Sequence, residues 1–431
     1  MELNENFYDA LKKIISFRSV LSEEKPGMPF GRGVYDAYKF YMDLAESFGF
    51  KTVNYDNYIG EIVYGEGEEI GIIGHVDVVP EGNGWHSDPY VLTEKDGVFF
   101  GRGICDDKGP MLTVLYALKA LKDSGKKCSK KFRLFVGCNE ESGWRDAEYF
   151  TRNRKFPVYG FSPDGNFPLS YAEKGITVLK FYLPALKGFY GLKGGTVVNA
   201  VCGYASARIK GWEKMSVSAR EEEKSKVKDF GLTLSSDGLI ESVGKSAHGS
   251  KPELGVNALK PLFSYFRSKG ENVDCVLDYL FDDKGGLKNL VNSQGKVTLS
   301  PDLAEEKEGE IIITCDCRIP APLSEKDVLK IVDKFGMKYT ATEKHPPLMV
   351  GKDTEFIRKL LEAYNSVTGE NASPIAIGGS TFARVFEKGC AFGAEFPSEN
   401  AFIHEPDERI SKENLLKLYD IYKTALFLLS E

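Results

Sequence analysis

Several apolar runs of this chain stop at a side chain that can bind a metal. "GIIG" runs into His75 and Asp77, "LFVGC" into Glu140 and Glu141, and "VYGF" into Asp164. "GRGICDDKGP" adds Asp106 and Asp107, and "FIHEPDE" adds His404. His75 and Asp77 are two apart, so on a strand they share a face, which suits an imidazole steered by a carboxylate. Glu140 and Glu141 are neighbours, and neighbours on an extended chain point opposite ways, so they have room for two jobs. His75, Asp106, Glu141, Asp164 and His404 form a nitrogen and carboxylate set without thiolates, of the kind zinc, manganese or cobalt takes in hydrolytic centres. One catalytic zinc usually takes three protein ligands and a water. Five ligands therefore point to two ions, which a shared carboxylate would let sit about 3.5–4 Å apart.

Each of these residues also has a plainer explanation. Acids such as Glu140 and Glu141 are common at helix starts, where they complement the dipole, and "DAEYF" follows them. A lone histidine is more often a satisfied core residue than a ligand, and Lys108 could neutralise Asp106 or Asp107. It is the recurrence at successive strand ends that favours a site, because in open α/β sheets sites lie beyond the carboxyl ends of the strands. Other motifs are absent. "GRGICD" has an aspartate where a dinucleotide fingerprint needs its third glycine, and that charge would repel a pyrophosphate. His404 is followed by Glu405, but position 408 is Glu, so H-E-x-x-H fails; there is no G-x-S-x-G.

The elements that must hold these residues alternate. Helical spacing is seen in "NENFYDALKKII", "DAYKFYMDLAESFGF", "KGPMLTVLYALKALKDSG", "DTEFIRKLLEAY" and "SKENLLKLYDIYKTALFLL". Strand-like "EEIGIIGHVDVV", "KFRLFVGC", "FPVYGF" and "SPIAIGG" fall between them. The pattern predicts an α/β catalytic domain with a mostly parallel sheet flanked by helices. From about Thr177 the texture changes to polar strands and few helices. We expect an inserted α+β domain over 177–345, with the catalytic domain contributed by 1–176 and 346–431. Cys315 and Cys317, in "IIITCDCRIP", share a strand face with Ile311 and Ile313 and read as core, which puts Arg318 on the opposite face.

Length and composition agree with that scheme. The chain has 431 residues, 42% hydrophobic and 28% charged, with a net charge of −7, too long for one ordinary core. No Lys/Arg-rich block marks a nucleic-acid partner, and no apolar run approaches a membrane span. The start, "MELNENFYDALKKIISF", lacks the basic and apolar regions of a signal peptide, so the expected compartment is cytoplasmic, with the eight cysteines reduced.

In order along the chain, "GHVDVVPEGNGWHSDP", "GRGICDDKGP", "NEESGW", "SPDGNFPLSYAEKGI", "GKSAHGSKPELGVNA", "GGSTFAR" and "HEPDE" resemble the co-catalytic di-zinc peptidases of the aminoacylase and carboxypeptidase G type. They are most similar to its bacterial PepV-like, or Xaa-His, dipeptidase branch. The resemblance spans nearly the whole chain. It implies a dipeptidase with two divalent ions, zinc foremost and manganese or cobalt as alternatives, acting on small peptides as a monomer or homodimer. By motif, Asp106 would bridge the ions, His75 and Asp164 complete one, and Glu141 and His404 the other. Asp77 would orient His75, and Glu140 would be the general base. The peptide bond after Asp106 would be cis. From the insert, acting as a lid, His248 would reach the scissile carbonyl, and Asn199 and Arg318 would contact substrate. Gly379, Ser380, Thr381 and Arg384 would line the pocket. Two departures stand out: Ser380 replaces the third glycine of the usual "GGGT", and His86 stands where relatives often carry an acid or polar residue, an outer-shell position at most. The rival expectations are an N-acyl amino-acid hydrolase such as a succinyl-diaminopimelate desuccinylase, which the same ions would serve, and a non-catalytic binding relative, against which all ligands and Glu140 are retained.

Overall fold

The computed structural model describes residues 3–431. Its contacts divide the chain into two compact units. The first comprises 1–171, 349–376 and 380–431, and the second 172–348 with 377–379. The chain thus crosses between units at 171/172 and 348/349, against the expected 176/177 and 345/346.

The first unit is built on a sheet with a parallel centre. Strands β1 (Lys51–Tyr55), β2 (Ile59–Gly65), β3 (Glu68–His75), β4 (Lys130–Gly137) and β5 (Tyr159–Ser162) lie in the order β1-β2-β4-β3-β5, followed by Lys388–Ala391. The pairs β3/β4, β3/β5 and β5 with 388–391 are parallel, whereas β1/β2 and β2/β4 are antiparallel. Parallel strands carry helices on both faces and so read as unbroken apolar runs. In β3 this is why Ile70, Ile72 and Ile73 are all buried although they do not alternate. Among the helices, α1 (Glu5–Ile15) and α2 (Arg32–Ser47) each bury one stripe, while α3 (Lys108–Asp123) is buried on almost every side, as expected of a helix covered by other elements. Each fully buried Leu, Ile or Phe contributes about 1.5–3 kcal/mol, so α3 anchors the loop at its N-terminus, which carries Asp106. The short α4 (Arg145–Thr151) follows β4 by a turn.

The second unit is an antiparallel sheet with helices on one face. Four of its strands are β6 (Gly175–Pro184), β7 (Thr298–Lys307), β8 (Glu310–Ile319) and β9 (Lys338–His345), in the order β7-β8-β6-β9 with β9 at the edge. Alternation assigns the two faces of β8. Ile311, Ile313, Cys315 and Cys317 enter a core shared with Leu179, Phe181, Leu262 and Phe266. Asp316 and Arg318 take the other face. The register of β7 on β8 shifts between Pro301 and Leu303, a bulge that places an extra residue, Asp302, in the strand.

Candidate metal centre

Two strand ends, the turn after β4 and two loops bring the expected ligands together in the first unit. β3 ends at His75, which is fully buried. Its Nδ1 lies 3.0 Å from the carbonyl oxygen of Asp77. A carbonyl only accepts, so Nδ1 carries a proton and Nε2 is the nitrogen turned toward the site. Nε2 faces two acceptors, Asp106 Oδ1 at 3.1 Å and Asp164 Oδ2 at 3.8 Å, and no well-aligned hydrogen bond reaches it. The other oxygen of Asp106 lies 2.9 Å from His404 Nε2, which is in turn 3.0 Å from Glu141 Oε2. Asp106 therefore stands between two imidazoles, each backed by a second carboxylate. The ligand atoms of His75, Asp106 and Glu141 lie within 4.8 Å of one another, as do those of His75, Glu140 and Asp164. The peptide bond between Asp106 and Asp107 is cis.

Glu140 and Glu141 do not sit on the end of a strand. β4 stops at Gly137, and both acids lie in the turn that leads to α4. Two buried carboxylates make that turn. Asp146 Oδ2 accepts from the N–H groups of Cys138 (2.6 Å) and Asn139 (2.9 Å). Asp77 then takes the next two, accepting from Glu140 N–H on Oδ1 and from Glu141 N–H on Oδ2, each at 3.2 Å. The divergence of the two glutamates thus comes from a pinned turn and not from strand parity. Nor do they belong to the first turn of a helix, since α4 begins only at Arg145.

Further supports were not foreseen. Asp107 Oδ2 accepts from the His75 N–H at 3.2 Å, and it passes so close to Gly74 that a Cβ there would lie 2.0 Å from it. Glu408 is fully buried and takes four donors: Gly103 N–H (3.0 Å), Cys105 N–H (2.9 Å), Asp106 N–H (3.1 Å) and Arg102 Nη1 (2.8 Å). It therefore fixes the loop that carries Asp106. Phe382 meets the His75 ring edge to face at 6.1 Å. His404 adopts a φ of 62°, and beyond it His86 pairs with Asp407 at 2.5 Å, outside the ligand cluster.

The electrostatics describe an overcharged cavity. Burial, reinforced by the neighbouring acids, pushes Glu140 and Asp164 up, and Glu141 to about 7. Burial pushes Asp106 up too, but His404 and His75 outweigh it and hold it well below the usual carboxylate range. Burial works against a charged His404, yet Asp106 and Glu141 lift it to about 11. Glu140, Glu141, Asp164 and His404 thus favour their protonated forms, which offsets the negative charge, while Asp106 stays ionised. Divalent cations would do the same, and the donor set of imidazole nitrogens and carboxylate oxygens fits them.

The remaining expected residues are divided between the two units. His248 and Asn199 are neighbours in the second unit, where Ala200 bridges His248 and Gly249 N–H donates to Asn199 O at 2.6 Å. Arg318 Nε donates to both oxygens of Asp316 (3.0 and 2.9 Å), and its Nη1 to Gly378 O at 3.1 Å. Gly379 belongs to the second unit, and Ser380, Thr381 and Arg384 to the first. Thr381 Oγ1 accepts from Ala383 N–H at 3.2 Å, so it caps the short turn Phe382–Val385.

Known proteins place this arrangement. Residues 71–427 match the model of peptidase family M20/M25/M40. The chain is 32% identical over 453 aligned residues to the Bacillus subtilis protein named "Putative dipeptidase YtjP", covering 97% of this chain and 96% of that protein. Its fold is similar to that of the yeast di-peptidase Dug1p of Saccharomyces cerevisiae, with a TM-score of 0.58 at 16% identity, 99% of this chain and 96% of that one being covered. It is also similar to the Bacillus subtilis YXEP protein, described as a dinuclear metal binding peptidase, with a TM-score of 0.53 at 10% identity and 99% of both chains covered. The chain belongs to peptidase family M20/M25/M40. It is a metal-dependent peptide hydrolase.

Proposed function

We propose that this protein is a two-metal dipeptidase, zinc being the first choice of ion and manganese or cobalt the alternatives. The observation that carries the reading is Asp106, whose two oxygens face two imidazoles, each with its own second carboxylate. His75 and Asp164 would hold one ion, Glu141 and His404 the other, and Asp106 both. Bound there, the ions would lower the pKa of a water and polarise the scissile carbonyl.

The chain's own residues do the rest. Asp77 holds the ring of His75 and pins the turn of Glu140 and Glu141. Glu140, raised by burial, is suited to take the proton of the attacking water and deliver it to the leaving amine. His248 Nδ1 accepts from Ser250 N–H at 3.2 Å, so its proton sits on Nε2, the tautomer an oxyanion donor requires. Arg318 keeps N–H groups on Nη1 and Nη2 for a substrate carboxylate, and Asn199, beside His248, would contact substrate. Residues 172–348 would act as the lid, and Gly379, Ser380, Thr381 and Arg384 would line the pocket. Dipeptides of the Xaa-His kind, including β-Ala-His, are the first to try.

A hydrolysis panel of dipeptides, longer peptides and N-succinyl-diaminopimelate, with each metal and with chelator, tests the reading. Turnover that survives exhaustive chelation refutes it, and a preference for the succinyl substrate over every dipeptide refutes the dipeptidase assignment. Glu140→Gln is expected to keep both ions, counted by mass spectrometry, and to lose about 10²–10⁴-fold in kcat.

A further inference from the structure

Resting on the dipeptidase reading, we infer that Glu395 receives an ammonium group on the acyl-side residue of the substrate, and so selects peptides with a free amine over N-acyl amino acids. Glu395 lies beside the segment that carries Asp164. Its N–H donates to Gly165 O at 2.9 Å, its carbonyl accepts from Phe167 N–H at 2.8 Å, and it forms a parallel bridge with Asn166. Asn166 Nδ2 donates to Glu395 Oε1 at 2.9 Å and so holds the carboxyl in place. Among the described residues, Oε2 has no hydrogen-bond partner and no lysine, arginine or histidine forms an ion pair with Glu395.

The acids around the ligand cluster divide by access. Asp77, Asp107, Asp146 and Glu408 are buried and serve backbone N–H groups. Glu395 is only half-buried, and its unpartnered oxygen is open to solvent. Its carboxyl nevertheless feels the centre. Burial, with the charges of Asp164 and Asp106, pushes it up to about 7, and Asn166 and His404 act in the opposite sense. In the two-metal reading, two divalent ions offset Asp106, Glu140, Glu141 and Asp164, charge for charge. Glu395 is the carboxylate left over.

Substrate chemistry supplies the complement. When the ions polarise a scissile carbonyl, the α-amine of the same residue is only about 2.5 Å from the carbonyl carbon by covalent geometry. A dipeptide therefore brings its ammonium to the edge of the ligand cluster, within the unit that holds Glu395. An ammonium has three donors and no acceptor, so it can meet Oε2 and leave the Asn166 bond intact. Such a charge-assisted contact is roughly twice as strong as a neutral one. An N-acyl substrate offers no donor there and leaves the carboxylate partly desolvated and unpaired, which is unfavourable. A β-amine, or a lysine side chain on the same residue, presents the same group further out.

The test compares the full-length metal-loaded enzyme with Glu395→Gln, which can keep the Asn166 bond and removes the charge. The paired substrates are Ala-Leu and N-propionyl-leucine, which differ only by the amine; β-Ala-Leu and Lys-Leu separate an α-amine from one further out. The parent is expected to favour Ala-Leu, and a parent that cleaves N-propionyl-leucine as well or better overturns the inference whether or not the variant folds. Glu395→Gln is expected to raise the KM for Ala-Leu about 10–100-fold, the range of one charge-assisted hydrogen bond. The kcat and both ions, counted by mass spectrometry, should be retained, and the KM for N-propionyl-leucine should not rise. A rise confined to β-Ala-Leu and Lys-Leu supports the ammonium contact and assigns it to the outer amine. Equal losses on Ala-Leu and N-propionyl-leucine, no loss on any amine, or loss of an ion would overturn the inference. Calorimetric binding of alanine against propionate, the two acyl-side products, is independent of turnover: the parent should prefer alanine and Glu395→Gln should not. An enzyme that cleaves no dipeptide removes the dipeptidase reading, whereas one that cleaves dipeptides and keeps its preference for the free amine in Glu395→Gln removes the role of Glu395.

Discussion

Replacing Asp77 with asparagine separates positioning from ligation. Asp77 is buried and its two oxygens serve three groups: Glu140 N–H on Oδ1, Glu141 N–H on Oδ2, and the His75 ring, whose Nδ1 lies 3.4 Å from Oδ1. An asparagine must turn its NH₂ toward one side. Either orientation sets N–H against N–H and strands at least one buried backbone donor, at a cost of about 1–3 kcal/mol. For a unit of this size about 2–4 °C of Tm follows each kcal/mol, so the first thermal transition should fall by about 2–12 °C. The more telling number is metal affinity. A changed partner behind a metal-bound histidine typically weakens binding 10–100-fold, and here the same change also loosens the turn that presents Glu141, so both ions should weaken. Competition against a graded chelator, with calorimetry on the same samples, measures both effects. A variant with lowered Tm but unaltered affinity for both ions would refute the positioning role of Asp77, because simple destabilisation predicts that pattern.

Other perturbations probe the surroundings. Gly74→Ala would place a Cβ 2.0 Å from Asp107 Oδ2 and 2.6 Å from Met111 Sδ; overpacking of this kind costs about 1–3 kcal/mol, and a Tm equal to the parent's would contradict it. Exhaustive chelation should destabilise the first unit, since ions at 100 times their Kd add about 2.7 kcal/mol each; identical calorimetric traces with and without chelator would count against the metal centre. In the second unit, burial raises Asp302 to about 8. Its folded pKa exceeds the unfolded value, so its contribution is fully present below about pH 4 and is lost as pH rises toward 8, at up to about 1.4 kcal/mol per pH unit. Asp302→Asn should flatten that decline when the thermal transition of this unit is followed from pH 5 to 9, and an unchanged slope would refute the assignment.

How far the site could be read along the chain depends on the range of the interaction. His75 and Asp77 were readable because two-residue spacing has a definite geometric meaning at the end of a strand. Asp106, Glu141, Asp164 and His404 were readable as candidate ligands because imidazole and carboxylate side chains recur after successive apolar runs, although each alone has a plainer explanation. Glu140 and Glu141 were recognised as a pair with two tasks, but the reason lay out of view: their turn is shaped by Asp146, a few residues on, and by Asp77, more than sixty residues back. Glu408 is more distant still, reaching across some three hundred residues to fasten the loop of Asp106. Nothing in local spacing marks a glutamate as the acceptor for four donors.

Side-chain chemistry and local periodicity are properties of short segments, so residue order alone determined the α/β class, the core role of Cys315 and Cys317, and the pool of candidate metal ligands. Register and long-range packing depend on which distant segments meet. Only the folded chain could therefore decide that Asp106 faces two imidazoles with two different oxygens, and that the ring of His75 turns Nε2 toward the acids.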